Sequence, residues 1–267
     1  MAGASIGYGQ ARGNSYYNGG NVSVRKRYSV GLDMQVAYTY GKAIDYASSF
    51  GLGLGIVDAQ NLELNRGLSD FDIRQKLALS LLYETPQIHG NKVADILSRW
   101  QLGGVTILQS GRPFQVNCGV PFQPVRNAAG AIIGNNGCDY NADGFNNDFP
   151  NAPSFGGYIT GIDRSRFVTG IFQATDFPKP APGSPGTLGR NTYFGPGYAQ
   201  TNFNIVKRFP LKFLGEAGQI DIRAEFFNLF NRVNLGQPTG NLSSTNFGKS
   251  TTALGGRNTQ FGLRLAF

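Results

Sequence analysis

The residues of this sequence that could do chemistry are concentrated between positions 118 and 150. Cys118 and Cys138 are its only two cysteines, and both lie in one long segment between predicted strands. If that segment faces an oxidising compartment, we expect the two thiols to form a disulfide. Closing a loop of about 20 residues would contribute roughly 3 kcal/mol to stability by the chain-entropy estimate. Two free thiols are the alternative.

Oxygen ligands follow the second cysteine in the stretch CDYNADGFNNDFP at 138–150. Asp139, Asn141 and Asp143 recur at alternating positions, as in the opening of a calcium-binding loop. The bidentate glutamate that closes such a loop is missing, and Asp148 could replace it only at a different spacing. Two interpretations stay open. These four side chains either hold a structural Ca²⁺ or form an Asx-rich turn that hydrogen-bonds itself, and we expect no other cofactor.

The other reactive residues form no catalytic pattern. His89 is the only histidine and falls in a predicted short turn, away from the long connections. One histidine and two cysteines are too few for a Cys/His zinc site. The glycine-rich GLGLG at 51–55 is followed neither by a helical pattern nor by a phosphate-binding lysine. We therefore expect no active site and no enzymatic activity.

Composition narrows the class of protein further. The 267 residues carry a formal charge of +8, but the basic residues form no long run, so we do not expect nucleic-acid binding. Hydrophobic residues make up 40% of the chain and are interleaved with polar ones. The longest apolar runs are far shorter than the roughly 18 to 20 residues of a transmembrane helix. No secretory signal is recognisable at the start, so an exported chain is expected to be a fragment.

The elements that position these residues are predicted to be strands. Apolar and polar side chains alternate with period two over segments of about ten residues or more, which is typical of strands rather than helices. In the sixth segment, for example, Ile220 and Ile222 alternate with Asp221 and Arg223. The seven predicted strands are 17–28, 32–44, 72–83, 100–116, 198–209, 219–229 and 259–267.

The connections between these strands alternate between short and long. Outer-membrane barrels have short periplasmic turns and long extracellular loops. Such barrels are closed because hydrocarbon offers no hydrogen-bond partner to an unpaired backbone. The pattern therefore predicts an all-β, antiparallel transmembrane barrel in a bacterial outer membrane. A secreted or surface-bound β-sandwich that binds carbohydrate or protein through its long loops is the alternative, because its strands alternate in the same way.

Specific stretches of the sequence also match a known family. They resemble the carboxy-terminal barrel of TonB-dependent outer-membrane receptors, in particular the Oar-like group with an amino-terminal carboxypeptidase-regulatory-like domain. The resemblance covers about Tyr17 to Phe267. The stretches are SDFDIRQKLALSLLYETP (69–86), RWQLGGVTILQSGRPFQV (99–116), GTLGRNTYFGPGYAQTNFNIVKRF (186–209), IDIRAEFFNLFNRVNLGQP (220–238) and FGLRLAF (261–267).

This resemblance implies a barrel of about 22 strands with a plugged lumen. It also implies a TonB box, through which the TonB complex energises the passage of an unidentified substrate. Only about seven strands, and no plug, TonB box or signal peptide, are recognisable in residues 1–267. We therefore expect this chain to be the carboxy-terminal portion of such a barrel. The implied partners are outer-membrane lipid, the barrel-assembly machinery and, through the amino-terminal part, the TonB complex.

The resemblance assigns a further role to the end of the chain. Phe261, Leu263, Leu265 and Phe267 would form the signal that the barrel-assembly machinery recognises, the alternative being that Phe267 is only a lipid-facing aromatic. The charged residues on the opposite face are expected to pair with each other, with the plug or with water inside the barrel. They are Arg74, Lys76, Asp221, Arg223, Glu225 and Arg264.

Overall fold

The computed structural model of the chain contains twelve β-strands and a few short helical turns among its described residues. The structure describes residues 12–27, 31–48, 56–58, 60–88, 90, 92–120, 123–135, 137–141, 148–156, 161–211, 213, 215 and 218–267. The strands are β1 (Ser15–Lys26), β2 (Leu32–Asp45), β3 (Gly67–Leu68), β4 (Gln75–Glu84), β5 (Trp100–Gln109), β6 (Pro113–Phe114), β7 (Pro124–Arg126), β8 (Ile132–Asn135), β9 (Tyr193–Phe194), β10 (Tyr198–Pro210), β11 (Gln219–Phe227) and β12 (Asn258–Ala266). The helices are α1 (Lys92–Leu97) and α2 (Arg166–Thr169), with 3₁₀ turns at Leu62–Asn65 and Ala174–Asp176.

Seven long strands form one antiparallel sheet in the order β1-β2-β4-β5-β10-β11-β12, so each strand pairs with the next long strand of the chain. The short β3 adds to β2, and the pairs β6–β9 and β7–β8 form two small separate sheets. Within the described residues, β1 pairs only with β2 and β12 only with β11, so the sheet is open. No helix in the described ranges is long and apolar enough to cross a membrane. The predicted all-β antiparallel class is confirmed.

The third predicted strand begins later than its alternating pattern indicated. The prediction started at residue 72, whereas β4 starts at Gln75. Asp72 is instead buried in the turn that enters the strand, where its carboxylate accepts a hydrogen bond from the Ala43 N–H at 2.7 Å. The same carboxylate pairs with Arg74 at 3.2 Å. Residues 72–74 therefore belong to the turn, although their period-two pattern predicts a strand.

The fourth predicted strand is shorter than predicted. It was expected to extend to residue 116, but β5 ends at Gln109. Proline has no N–H to donate to a ladder, and Pro113–Phe114 pairs with β9 in a separate two-stranded sheet. The chain leaves the main sheet at this point and enters the long connection 110–197.

One face of the seven-stranded sheet is mostly apolar. Residues paired across the ladder point to the same face, and apolar residues therefore align in rows from strand to strand. Many of these side chains are exposed, including Val24 at 65% and Leu263 at 72%. One such row crosses six strands through Leu32, Tyr83, Leu102, Ile205, Ala224 and Phe261.

The buried core of the protein lies in the long connections rather than beneath the sheet. The segments 46–74, 110–197 and 228–257 all leave the same end of the sheet, and their described residues pack together; we call these segments the loop assembly. Short segments join the strands at the opposite end, which we call the short-turn end. The core residues are Val57, Phe114, Val116, Phe149, Phe167, Ile171, Phe172, Phe177, Leu188, Tyr193 and Phe247.

Candidate functional site

The loop assembly is organised around a cluster of aromatic rings. Phe172 lies at its centre, with its ring centroid 4.6 Å from that of Tyr193 and 5.4 Å from that of Phe177. Phe177 meets both Phe172 and Phe247 edge to face, at interplanar angles of 86° and 87°. Edge-to-face contacts place a positive ring edge on a negative ring face and are favourable beyond the area that they bury. The loops are therefore held by a packed core of their own.

Backbone hydrogen bonds join the two longest connections directly. The Asn117 N–H donates to the Gly240 carbonyl at 2.9 Å, and the Leu242 N–H donates to the Asn117 carbonyl at 2.8 Å. A side chain at Gly240 would place a Cβ atom 1.7 Å from the Gln115 carbonyl oxygen, so only glycine allows this approach. The high glycine content, 38 residues, partly serves such close contacts between loop backbones.

Arg190 connects segment 110–197 of the loop assembly to segment 46–74 and to the end of β2. Its guanidinium donates to the Asn65 carbonyl at 3.0 Å and to the carboxylate and carbonyl of Asp45. It also lies 3.6 Å from an oxygen of Asp70, and both Arg190 and Asp45 are largely buried. Charged groups of this kind are stable in a loop core only when they are paired and hydrogen-bonded. Arg190 therefore holds 46–74 against the rest of the loop assembly.

The neighbouring Asn191 completes this network. Its side-chain amide donates to the Leu68 carbonyl at 2.7 Å and to the Asp70 carboxylate at 2.5 Å. Its backbone N–H donates to the Gln115 side chain at 2.7 Å. Asn191 has a positive φ of 53°, which asparagine tolerates better than most residues. Residues of 46–74 and of 110–197 thus meet at one polar junction.

Burial shifts the pKa of several groups in the loop assembly, among them Arg190 and Tyr193. Desolvation lowers the pKa of Arg190, although an arginine stays charged at any physiological pH. Burial raises the pKa of Tyr193 to about 12, and the nearby carboxylate of Asp176 adds to the shift. Among the described residues, the Tyr193 hydroxyl has no hydrogen-bond partner. Both shifts follow from the close packing of the loop assembly.

The two cysteines are joined in the loop assembly. Cys118 and Cys138 form a disulfide with a Cα–Cα distance of 5.6 Å, as the sequence predicted. They are buried together with Tyr140 in a small cluster beside the aromatic core. The disulfide therefore ties the two ends of the segment 118–138 where it enters and leaves the small cluster.

The structure describes three of the four predicted calcium ligands. Asp139 and Asp148 are buried, and one oxygen of Asp148 accepts hydrogen bonds from the backbone N–H groups of Tyr140 and Asn141 at 2.5 and 2.8 Å. The Asn141 amide donates to the Val57 carbonyl at 3.0 Å. Asp143 lies outside the described residues. No group of three or more His, Cys, Asp or Glu side chains within the described ranges could hold a metal ion, so calcium binding stays a prediction.

Comparison with known protein families agrees with this architecture. The family model described as "Outer membrane beta barrel domain" matches residues 2–260. The chain belongs to this family. A comparison with curated proteins found no match. Because the chain belongs to this family, its barrel domain is located in the bacterial outer membrane. The apolar face of the strands meets lipid there, and the other face points into the barrel.

The inward face of the barrel domain carries the predicted charges, with one correction. Arg74 is not in a strand; it lies in the turn before β4 and pairs with Asp72. Arg223 pairs with Glu225 at 3.4 Å along β11. Asp221, which is 8% exposed, aligns with Arg208 on one side and Arg264 on the other. Lys76 aligns with Thr39 and Gln109 on the same face.

Polar amides line part of this inward face. Gln200 donates to the Asn202 side chain at 2.9 Å, and the Asn202 oxygen accepts from the Asn228 N–H at 3.0 Å. The Asn204 side chain lies over Gly103, where a Cβ atom would approach within 2.1 Å of its oxygen. A shallow cavity of about 160 Å³ is lined by Asn202 and Asn204 together with Glu225. These groups can hydrogen-bond a polar molecule or water inside the barrel.

The residues of the predicted assembly signal occupy the last strand. Phe261, Leu263 and Leu265 point to the apolar face of β12, aligned with Ala224, Ile222 and Ile220. They are 81%, 72% and 50% exposed, and Phe267, directly after the strand, is 87% exposed. All four side chains are thus accessible to a partner from outside. His89 and the glycine-rich stretch 51–55 lie outside the described residues.

The residues that build the loop assembly show no recognisable pattern in the sequence. The aromatic side chains between 149 and 193 show no period-two pattern, so the sequence predicts only a long connection there. The high density of aromatic residues in this segment, which has no predicted strand, is the sequence feature that indicates a separate core. Arg190 and Asn191 gave no local signal, because their partners Asp45 and Leu68 are more than a hundred residues away in the chain.

Proposed function

We propose that this chain is the carboxy-terminal section of the barrel of a TonB-dependent, Oar-like outer-membrane receptor. In the intact receptor it would line the path by which a substrate is taken up or exported, energised through the TonB complex. The substrate is not identified. The proposal treats the chain as a transport component and not as an enzyme.

The observation that carries this proposal is the open sheet. Seven long strands leave two unpaired edges, at β1 and at β12, within the described residues. Unpaired backbone groups are too costly in hydrocarbon to face lipid, so both edges need further strands. A wide barrel, to which other parts of a receptor contribute the remaining strands, supplies them. The resemblance of five stretches to TonB-dependent receptors indicates which kind of barrel this is.

The polar face supports a role in transport. Its charges and amides project toward the interior of the proposed barrel, where a plug and water would pair with them. The loop assembly closes over the same end of the sheet from which a substrate would enter. We propose that the substrate meets the loop assembly first and the inward amides later. A structural calcium ion at Asp139, Asn141, Asp143 and Asp148 belongs to the same proposal.

The β-sandwich alternative has less support. A sandwich buries the apolar face of one sheet against a second sheet. In the part of the chain that the structure describes, no second sheet covers the apolar face, and side chains such as Val24 and Leu263 stay exposed on it. The family match also places the chain among outer-membrane barrels.

Planar-bilayer conductance tests the proposal. The refolded chain alone should give no stable, uniform single-channel steps, because its sheet is only one section of a barrel. The full receptor gene, with a plug and a TonB box encoded upstream in the same frame, should direct transport that stops when TonB is deleted. Uniform steps from the isolated chain, or transport that is indifferent to TonB, would contradict the proposal.

The assembly signal has its own test. Removing Phe267 from the full receptor should lower the amount of receptor at the cell surface, while a conservative Phe267→Tyr change should preserve it. Surface levels can be measured by labelling intact cells. An unchanged surface yield after the deletion would leave Phe267 as a lipid-facing aromatic without a signalling role.

A further inference from the structure

A charged side chain lies on the face of the sheet that meets lipid. Lys207 of β10 aligns with Trp100 on one side and with Ile222 on the other, and both neighbours belong to the apolar face. A lysine on the lipid face of a barrel is destabilising, least so near the membrane interfaces. Lys207 nevertheless is only 5% exposed. Something other than lipid therefore covers it.

The helix α1 provides that cover. The Lys207 ammonium donates to the Asp95 and Ile96 carbonyls at 2.8 and 3.0 Å and also to the Ser98 carbonyl. These carbonyls belong to the carboxy-terminal end of the helix, where the backbone lacks internal partners and a positive charge is favourable. The ammonium also lies 5.2 Å from the centroid of the Trp100 ring, within the range of a cation–π contact.

Further contacts hold α1 to Trp100 of the sheet and to the segment that precedes the helix. The Trp100 indole N–H donates to the Ile96 carbonyl at 2.7 Å. The buried Ser98 hydroxyl accepts from the Ile88 N–H at 2.8 Å and lies within hydrogen-bonding distance of the Ala94 carbonyl at 2.7 Å. Since both Lys207 and Trp100 lie on the apolar face, the helix lies on the lipid side of the sheet, at its short-turn end.

The surface of α1 that points away from the sheet is apolar. Val93, Ile96 and Leu97 are 59%, 61% and 56% exposed, and their spacing places them on one side of the helix. Phe209 and Phe213, at the same end of the sheet, are 41% and 80% exposed. Exposed apolar side chains of the helix and of the strands thus lie on the same side of the sheet, which meets lipid in an outer-membrane barrel.

We propose that α1 is a membrane-interface helix, seated on the outside of the barrel in the periplasmic leaflet, with Val93, Ile96 and Leu97 in contact with phospholipid acyl chains. Short connections lie on the periplasmic side of outer-membrane barrels, and an amphipathic helix lies in the plane of the interface with its apolar side in the acyl region. Lys207 acts as a positioning residue that holds the helix on the lipid-facing wall.

Spin labelling tests this placement directly. The two native cysteines are joined in a disulfide, so a single introduced cysteine can carry a nitroxide in the full chain. The variants are Val93→Cys, Ile96→Cys and Asp95→Cys, reconstituted in phosphatidylethanolamine and phosphatidylglycerol vesicles. Leu263→Cys on the apolar face and Val105→Cys on the inward face are exposed references. Collision of each nitroxide with oxygen and with a water-soluble nickel chelate is measured.

Nitroxides at 93 and 96 should prefer oxygen to nickel severalfold, as at 263, while those at 95 and 105 should prefer nickel. Nickel access at 93 and 96 equal to that at 95 would overturn the proposal, provided that 263 still reports lipid. Shielding of 93 and 96 from both reagents would also overturn it, because a protein partner or a second copy would then cover the helix. Nickel access at 263 as well would also overturn the proposal, because the apolar face that carries the helix would then not meet lipid.

A second variant tests the role of Lys207. Lys207→Met keeps most of the unbranched apolar stem but removes the ammonium, so a nitroxide at 96 should become more mobile and gain access to nickel. Lys76→Met, on the inward face, is the matched control and should leave that nitroxide unchanged. An unaltered spectrum at 96 in Lys207→Met would show that Lys207 does not position the helix.

Discussion

The sheet and the loop assembly of this protein use apolar side chains in opposite ways. In the sheet, apolar residues such as Phe261 and Leu263 are largely exposed, and polar groups point inward. In the loop assembly, aromatic residues such as Phe172 and Phe177 are almost fully buried. The hydrophobic effect acts in both regions, but the sheet borders hydrocarbon whereas the loops border water. Exposed apolar side chains therefore indicate contact with lipid in the sheet, whereas buried apolar side chains form the core of the loops.

The two regions also differ in what holds them together. The sheet depends on ladder hydrogen bonds between consecutive strands, so its contacts follow chain order. The loop assembly depends on contacts between distant segments, namely the aromatic core, the Arg190 junction and the disulfide. We expect substitutions in one region to leave the other largely intact. Trp100, the only tryptophan, reports on the sheet, and hydrogen exchange between 161 and 197 reports on the loops.

The largest effect is expected from Phe172→Ala at the centre of the aromatic core. Truncating a buried phenylalanine removes apolar contact and leaves a cavity, which costs about 3 to 5 kcal/mol. Hydrogen exchange of 161–197 should accelerate accordingly, with the Trp100 unfolding midpoint in urea unchanged. The matched control, Phe261→Ala, removes an aromatic from the lipid face and should leave loop exchange as it is. Equal exchange in both variants would break the distinction between the two regions.

A charge on the lipid face should destabilise the sheet and spare the loops. Leu79→Arg places a guanidinium in the middle of β4 on the apolar face, at a cost of roughly 2 to 4 kcal/mol near the bilayer midplane. Ser80→Arg puts the same charge on the neighbouring inward position and should cost little. The free energy of unfolding in lipid vesicles, followed by Trp100 fluorescence, measures the difference. Equal losses for both variants would contradict the assignment of one face of β4 to lipid and the other to the barrel interior.

Removal of the disulfide should loosen one part of the loop assembly. In Cys118→Ser/Cys138→Ser, the closed loop of 20 residues is lost, and the chain-entropy estimate gives about 3 kcal/mol as the stabilisation removed. Limited proteolysis should then cut between 118 and 138 faster, while the Trp100 midpoint stays constant. Unchanged proteolysis would indicate that the Tyr140 cluster holds this segment without the disulfide.

The smallest effect concerns pH. The pKa of Tyr193 is raised from 10.0 to about 12 by burial, so the unfolded chain ionises at lower pH than the folded one. The loop assembly should keep its stability below pH 10 and lose it as the pH rises toward 12. Tyr193→Phe should reduce this loss and be close to neutral at pH 7, since the hydroxyl has no partner among the described residues. Burial also raises the pKa of Tyr140, so a residual loss should persist.

The sequence predicted the sheet well because strand information is local. Alternation along each strand decides which residues share a face, and consecutive pairing follows from chain order. The predicted strand over 198–209 matches β10, and that over 259–267 matches β12 within one residue at either end. The errors fell at Asp72 and Pro113, where a turn contact and a missing donor end the regular pairing.

The loop assembly was predictable only in its disulfide. Two cysteines allow only one pairing, so a disulfide was expected wherever the segment faces an oxidising compartment. The aromatic core was not predictable, because its members follow no period and meet across gaps of many residues. The position of Lys207 shows the same limit, since its alternation places it on the lipid face and only the fold brings α1 over it.

By itself, the amino-acid sequence determined the class of fold, the two faces of each strand and the long and short connections, since all of these depend on neighbours along the chain. Only the tertiary structure decided which loop side chains meet, where Arg190 finds its carboxylates and what covers Lys207. Those contacts join residues far apart in the chain, and their free energy arises only after the sheet has brought the segments together.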